Sequence, residues 1–176
     1  THILENDSED PVLSQIRYLG LINRPEDPVK IVYHPEFISP ANPLWGIEYD
    51  QFVRGCHMGL FPSSYEPWGY TPLECLAMGV PAVSSDLAGF GRYVQHHFPD
   101  HNRGGMWVVR RRGASFHESA AEMTRYLLDL CRMDRRSRIA LRNQVEAQSW
   151  MFDWSVLGAS YHKAHELAAE RIGARV

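Results

Sequence analysis

The chain has 176 residues, of which 44% are hydrophobic and 22% charged, and it carries a net charge of −3. These values are typical of one globular domain and give no electrostatic reason to expect a nucleic-acid or membrane partner. Its apolar runs are too short for a transmembrane span, and the N-terminal residues do not resemble a signal peptide. Three widely spaced cysteines without a CxxC pair favour a reducing, cytoplasmic compartment over a disulfide framework or a zinc site.

Short β-rich runs alternate with helical stretches over the first two thirds of the chain. In chain order, the pattern predicts a helix at 11–22, a strand at 29–34, a helix at 47–56, a strand at 58–61, a helix at 71–79 and strands at 81–85 and 106–111. Gly79 is the expected stop of the third helix. Strands alternating with helices indicate an α/β fold with a parallel sheet built from βαβ units.

The last third of the chain is predicted to be helical. Ser115 and Glu118 have the spacing of a capping box, which opens a helix to about residue 132, and two more helices are expected at 134–151 and 153–172. An apolar stripe on the third helix is most simply core, with contact to another lobe as the alternative; it contains Trp154, Leu157, Tyr161, Ala164 and Ala168. We therefore expect a single domain, 1–176, with a βα core to 111 and C-terminal helices from 112.

The stretch SSYEPWGYTPLECLAMG, residues 63–79, departs most from what folding alone requires. It follows a predicted strand and precedes a helix, and ligands bind at such carboxyl ends of strands in open parallel sheets. Tyr65, Trp68 and Tyr70 place three aromatic rings on a surface loop, and Gly69 allows the backbone to pass close to a ligand.

Thr71 and Glu74 admit two interpretations. In the first they form only a capping box, with Thr71 as N-cap and Pro72 as the first helical residue. In the second, the free N–H groups of this helix start bind a phosphate with help from the Thr71 hydroxyl, and Glu74 accepts hydrogen bonds from a ribose. Glu66 lies outside any cap position, so it is either a solvated loop carboxylate or a functional one.

The strings HPEF (34–37) and YDQFVRGCHMGLFPSSYEPWGYTPLECLAMGVPAVSSDLAGFG (49–91) resemble the C-terminal domain of animal and fungal glycogen synthases. The similarity extends over nearly the whole chain, from THILENDSEDPVLSQIRYLGLIN to FDWSVLGASYHKAHELA. It implies the Rossmann-like C-terminal lobe of a retaining glycosyltransferase of the two-domain GT-B architecture. Such an enzyme transfers glucose from UDP-glucose to the 4-hydroxyl at a glycogen chain end, and it uses no metal or other cofactor.

The resemblance assigns the catalytic role at the donor glucose to Glu66. It groups the other predicted site residues by the part of the donor that they contact: Trp68 and Gly69 for glucose, Tyr70 and Thr71 for the diphosphate, Glu74 for the ribose, and Tyr49 and Phe37 for uracil. The family's Arg and Lys at the diphosphate, and its acceptor-side N-terminal lobe, lie upstream of this region. The chain is therefore expected to be a fragment that binds the donor weakly and does not turn over alone.

An arginine-rich segment, DRRSRIALRN, places Arg135, Arg138 and Arg142 on one face of the second C-terminal helix. A solvated face is one interpretation, and the resemblance implies the other, a site for glucose 6-phosphate or a similar anion. Gln144 and Ala147 stand where regulated family members carry further arginines, which weakens the regulatory interpretation.

Two other functions remain open from the sequence. One is a different retaining GT-B enzyme with another nucleotide or sugar, and the other is a non-catalytic nucleotide-sugar-binding or scaffold module. Glu66, Thr71 and Glu74 together favour the enzyme. Homo-oligomerisation of a full-length protein is left open by the sequence.

Overall fold

The computed structural model describes residues 4–173. The chain divides into two compact units, the first ending at Tyr49 and the second beginning at Asp50. The predicted single domain with its division at residue 111 stays a prediction, and each unit is described by itself.

The first unit contains one helix, α1 (Pro11–Tyr18), within its described residues. Asp10 is its N-cap and accepts the Leu13 N–H at 2.7 Å. The helix is shorter than the predicted 11–22 because Gly20 takes a φ of 67°, which ends the α-helical backbone.

The strand predicted at 29–34 is wrong, since these residues form neither helix nor strand. A strand is defined by pairing with a neighbour. Here the backbone of Ile31 bonds to the Asn23 side chain instead. The Asn23 amide oxygen accepts the Ile31 N–H, and the Asn23 amide nitrogen donates to the Ile31 carbonyl, both at 2.7 Å. Val29 and Val32, expected in a buried strand, are more than half exposed.

A three-stranded parallel sheet organises the second unit, with spatial order equal to chain order. Its strands and their helices are, in chain order, α2 (Tyr49–Gly55), β1 (Gly59–Leu60), α3 (Tyr70–Ala77), β2 (Ala82–Ser85), α4 (Gly89–His97) and β3 (Met106–Val109). Ala82 lies opposite Gly59 in β1 and Met106 in β3. The predicted α/β fold with a parallel sheet is confirmed, with three strands in place of four.

Three α-helices follow the sheet: α5 (Phe116–Arg132), α6 (Arg135–Gln148) and α7 (Trp154–Gly173). The α5 bounds agree with the prediction. The predicted second helix to residue 151 is interrupted, because Ser149–Phe152 tightens into a 3₁₀ turn before α7 begins. No helix in the described part of the chain is long and apolar enough to cross a membrane.

Both faces of the sheet are covered by helices, and the buried residues form two clusters. One includes Leu76, Val80, Ala82, Val94, Met106 and Val108, and the other includes Val83, Trp107, Val109, Tyr126, Leu130 and Leu141. Because successive strand residues point to opposite faces, β2 and β3 contribute to both clusters. The sheet therefore holds its strand ends, and the loops that leave them, on a rigid support.

Candidate functional site

The loop of residues 61–69, here the Glu66 loop, leaves the carboxyl end of β1 and enters α3. Its second half lies along the connection between β2 and α4: Glu66 forms a parallel bridge with Ala88, and its carbonyl accepts the Gly89 N–H at 3.0 Å. Only glycine fits at position 89, because an added Cβ would lie 2.1 Å from the Pro67 carbonyl oxygen. This half-buried carboxylate is thus carried on backbone that is fixed from the neighbouring strand.

Trp68 is held on the same connection. Its carbonyl accepts the Phe90 N–H at 2.7 Å, and its ring meets those of Phe90 and Tyr93 edge-on at 5.9 and 5.5 Å between centroids. The indole is half-buried, so part of its surface remains available to a ligand. An aromatic ring oriented in this way is suited to packing against a sugar.

Helix α3 begins at Tyr70, and the N-cap position before it requires glycine. Gly69 is the N-cap with a φ of 106°, and this residue makes no side-chain capping hydrogen bond. The capping box predicted for Thr71 and Glu74 is therefore wrong: the first helical residue is Tyr70 and not Pro72, two residues earlier, and Thr71 lies inside the first turn. The left-handed conformation of Gly69 turns the chain into the helix without help from a hydroxyl.

The uncapped start leaves the amino end of α3 suited to an anion. The first-turn N–H groups of a helix have no partner within it, and the helix dipole adds partial positive charge at this end. Thr71 is exposed beside these groups, and Tyr70 is 62% exposed. Glu74 is half-buried one turn further along. Leu76 and Cys75 are buried and pack the helix against the core. Burial also raises the pKa of the Cys75 thiol to about 11.

Three polar residues at the ends of β2 and β3 were missed by the sequence analysis. The Ser85 hydroxyl donates to the Ser63 carbonyl at 2.6 Å, and the Arg111 guanidinium donates to the Pro62 carbonyl. Asp86 accepts the Arg111 N–H at 2.8 Å. The available signal was the polar run at the end of each buried strand: SSD, whose two serines close β2, and RRR directly after MWVV of β3.

Phe37 and Tyr49, predicted to border the base, belong to the first unit, whereas residues 66–74 belong to the second. Phe37 is 91% exposed, and Tyr49 is the first residue of α2 with 38% exposure. Their contact with a base stays a prediction.

The arginine face of α6 has a structural use that the sequence analysis did not anticipate. Arg142 donates to the carbonyls of Cys56 and Arg54 at 2.7 and 2.9 Å, which satisfies acceptors around the end of α2. Arg138 is half-buried and Arg135 exposed. Anion binding by Arg135, Arg138 and Arg142 stays a prediction.

The stripe on α7 is not core, which corrects the simpler of the two expectations. None of the helix's residues is buried, and Trp154 and Tyr161 are 61% and 57% exposed. The two faces of the sheet are already covered by the preceding helices, and Trp154, Leu157 and Tyr161 of the stripe line a groove of about 660 Å³. The groove is mainly aromatic and is lined by Trp68, Tyr70, Tyr93, Trp150, Trp154 and Tyr161, among others.

Comparison with known proteins gives a consistent result. The family model described as Glycogen synthase matches residues 1–174. The chain is 50% identical over 165 residues to the glycogen [starch] synthase of Caenorhabditis elegans, covering 94% of this chain and 25% of the relative. It is 47% identical over 171 residues to the liver glycogen [starch] synthase of Homo sapiens and to the glycogen [starch] synthase of Neurospora crassa, covering 97% of this chain and 24% of each relative. The chain thus spans about a quarter of the length of these curated relatives, and it belongs to the glycogen synthase family.

Proposed function

We propose that this chain forms the donor-binding part of a retaining GT-B glucosyltransferase that transfers glucose from UDP-glucose to the 4-hydroxyl ends of glycogen. One observation carries the proposal. The Glu66 loop, fixed by its bridge to Ala88, and the start of α3, whose Gly69 N-cap has no capping side chain, both lie at the carboxyl edge of the parallel sheet. Ligands bind at this edge in open α/β sheets. Membership of the glycogen synthase family supports the reaction class.

We assign each part of UDP-glucose to the residues whose chemistry suits it. The diphosphate lies at the amino end of α3, where N–H groups and the Thr71 hydroxyl donate to it beside Tyr70. Trp68 and the Gly69 backbone contact the glucose, and Glu74 accepts hydrogen bonds from the ribose hydroxyls. Tyr49 and the backbone around Phe37 serve the uracil.

The reaction follows from charge placement. As the bond to the diphosphate breaks, positive charge develops on the sugar and the Glu66 carboxylate stabilises it, while the donors at α3 stabilise the leaving group. The acceptor hydroxyl attacks on the same face, assisted by the leaving phosphate, so that configuration is retained. We propose that no metal takes part, because N–H groups, hydroxyls and cationic side chains neutralise the diphosphate.

The rest of the enzyme comes from outside the described residues. We propose that an N-terminal lobe of the same cytoplasmic protein supplies an Arg and a Lys to the diphosphate and binds the acceptor, and that closure excludes water. The exposed stripe on α7 and the aromatic groove beside it offer an apolar surface for that lobe. Alone, the chain should bind UDP-glucose weakly and transfer no glucose.

Calorimetric titration of the chain with UDP and ADP, with and without Glu74→Ala, tests the donor site. Selective UDP binding that weakens about tenfold in the variant is expected, since a hydrogen bond to a charged group is worth about 1.5–3 kcal/mol. Preference for ADP would favour a related enzyme with another donor.

The same titration on the full-length protein, in buffer with a metal chelator, separates the remaining outcomes. Tight UDP binding there with none by the isolated chain would mean that the other lobe supplies most of the affinity. No nucleotide binding by either protein would favour a non-catalytic module and overturn the proposal.

A further inference from the structure

The first half of the Glu66 loop is held by side chains from the other two strand ends. At its start, the Phe61 N–H donates to the Val83 carbonyl at 2.8 Å and completes the pairing of β1 with β2. The strand pairs of β1 with β2 end at Leu60, and the backbone carbonyls of Pro62 and Ser63 accept hydrogen bonds from side chains. Two side chains then replace the ladder, as the next two donors show.

The Ser85 hydroxyl, fully buried at the end of β2, donates to the Ser63 carbonyl at 2.6 Å. The half-buried guanidinium of Arg111, just after β3, donates to the Pro62 carbonyl. A donor that carries full charge makes a stronger hydrogen bond than a neutral one, so Arg111 is the stronger of the two tethers.

Asp86, directly after β2, positions the backbone of Arg111. Asp86 donates its backbone N–H to the Val109 carbonyl at 3.1 Å, and its carboxylate accepts the backbone N–H of Arg111 at 2.8 Å. The same carboxylate accepts the backbone N–H of Arg112 at 3.1 Å. Asp86 thus fixes the chain direction after β3, and that direction sends the Arg111 side chain across β2 to the loop after β1.

The second half of the loop is anchored separately. The carbonyls of Glu66 and Trp68 accept the N–H groups of Gly89 and Phe90. Tyr65 lies between the two anchored halves and is 80% exposed. The position of Glu66 therefore depends on an anchor on each side, and only the anchor before it depends on long-range side-chain donors.

The geometry points to Arg111 as a positioning residue that fixes the Glu66 carboxylate for glucosyl transfer. The inference rests on the proposed function, because it concerns the group that this function places at the sugar. Without the guanidinium, the Pro62 carbonyl loses its charged donor and the loop keeps Ser85 as the main tether before Glu66. Helix α3 keeps its own packing, so the donors for the diphosphate should remain in place.

The test compares Arg111→Met with Arg112→Met in the full-length protein that carries these residues. Arg112 is a matched control because Asp86 holds its backbone while its side chain is exposed. Arg111→Met should lower kcat about 10- to 100-fold with KM for UDP-glucose within about threefold, since misplacement of about 1 Å costs rate of this order. Arg111→Lys, which keeps one charged donor, should recover part of kcat, and Arg112→Met should match the unmodified enzyme.

A double-mutant cycle shows whether Arg111 acts through Glu66. In a Glu66→Gln background, Arg111→Met should lower the residual kcat by less than about threefold, because the group being positioned has been removed. An equal loss in both backgrounds, or a loss confined to KM, would overturn the inference. Melting temperatures close to that of the unmodified enzyme exclude unfolding as the cause, and Arg111→Lys replaces Arg111→Met if the latter does not fold.

Amide hydrogen exchange at Ser63 provides a readout that needs no turnover. The Ser63 N–H donates to the Phe61 carbonyl at 2.9 Å within the half of the loop that Arg111 tethers, so exchange there should be faster in Arg111→Met than in Arg112→Met. If the unmodified enzyme transfers no glucose but the two variants still differ in exchange, the proposed function is refuted and the loop tether stands. An active enzyme with equal exchange and equal kcat in the two variants would refute the tether alone.

Discussion

Helices α3 and α5 share a sequence pattern near their starts, a Ser or Thr followed three residues later by Glu, but their N-termini are built differently. At α5, the Ser115 hydroxyl accepts the Glu118 N–H at 3.2 Å and the Glu118 carboxylate accepts the Ser115 N–H at 2.7 Å. At α3, Thr71 and Glu74 have equal spacing, yet the N-cap is Gly69, which has no side chain to accept a first-turn N–H. The start of α5 is thus closed by its own side chains, whereas the N-cap of α3 contributes none.

The difference lies in the residues before each pattern. Gly69 turns the chain at a φ of 106°, and Tyr70 is already helical. Ser115 keeps extended backbone, with a φ of −72° and a ψ of 164°, so it stands outside the helix where a cap must stand. Under the proposed function, the start of α3 lacks a side-chain cap because it binds the diphosphate. Changes at α3 should therefore affect donor use, and equivalent changes at α5 should affect stability.

Gly69→Ala should have the largest effect. Alanine at this φ is strained by about 1–2 kcal/mol, and its Cβ would lie 3.3 Å from the Glu66 Cγ. We expect kcat/KM of the full-length protein to fall about 10- to 100-fold, measured as glucose transfer from UDP-glucose.

Gly113→Ala is the matched control near the start of α5. Gly113 also has a positive φ, of 68°, but an added Cβ meets no described atom within 4 Å. The variant should lose a similar amount of stability while keeping kcat/KM. Equal activity losses in the two variants would show that backbone strain, and not contact with the Glu66 loop, sets the effect.

Ser115→Ala and Thr71→Ala should have opposite consequences. Loss of the Ser115 cap should lower the free energy of unfolding of the chain by about 1 kcal/mol and leave nucleotide binding unchanged. Thr71→Ala should leave stability within about 0.5 kcal/mol and weaken UDP binding about tenfold. Urea unfolding and calorimetry on both variants test this pair. A stability loss in Thr71→Ala as large as in Ser115→Ala would show that Thr71 caps α3 after all.

The smallest expected effect is the part of the pH dependence of stability that Glu118 contributes at the start of α5. Hydrogen bonds from the Ser115 backbone N–H and hydroxyl lower the pKa of Glu118 in the folded protein. The contribution of this carboxylate to stability is therefore fully present above its unfolded pKa of about 4.3 and is lost as pH falls through the lower folded value.

Urea unfolding of the unmodified chain and of Glu118→Gln between pH 7 and pH 2.5 measures this dependence. The difference between the two proteins should be largest near neutral pH and shrink at acid pH. Glu170→Gln, on the exposed part of α7, is measured alongside as the control for removing one carboxylate. A difference for Glu118→Gln that stays constant with pH would contradict the assignment.

Much of this protein follows from local sequence. The Ser115 capping box, the bounds of α5 and the stop at Gly79 depend on residues close in the chain, and the structure confirms them. The short β-rich runs between helices were enough to predict a parallel α/β sheet. The string around Glu66 stood out because its aromatic residues and glycine serve no evident folding purpose on a surface loop.

Other features were decided only by tertiary structure. Residues 29–34 have the composition of a strand but pair with none, and Ile31 bonds to the Asn23 side chain, because a strand exists only where a neighbour offers its edge. The stripe on α7 had the period of a buried face, but the sheet was already covered. The tether from Arg111 to Pro62 joins residues 49 positions apart. Periodicity and local pattern carry no information about such partners, since folding chooses them by where the strand ends meet.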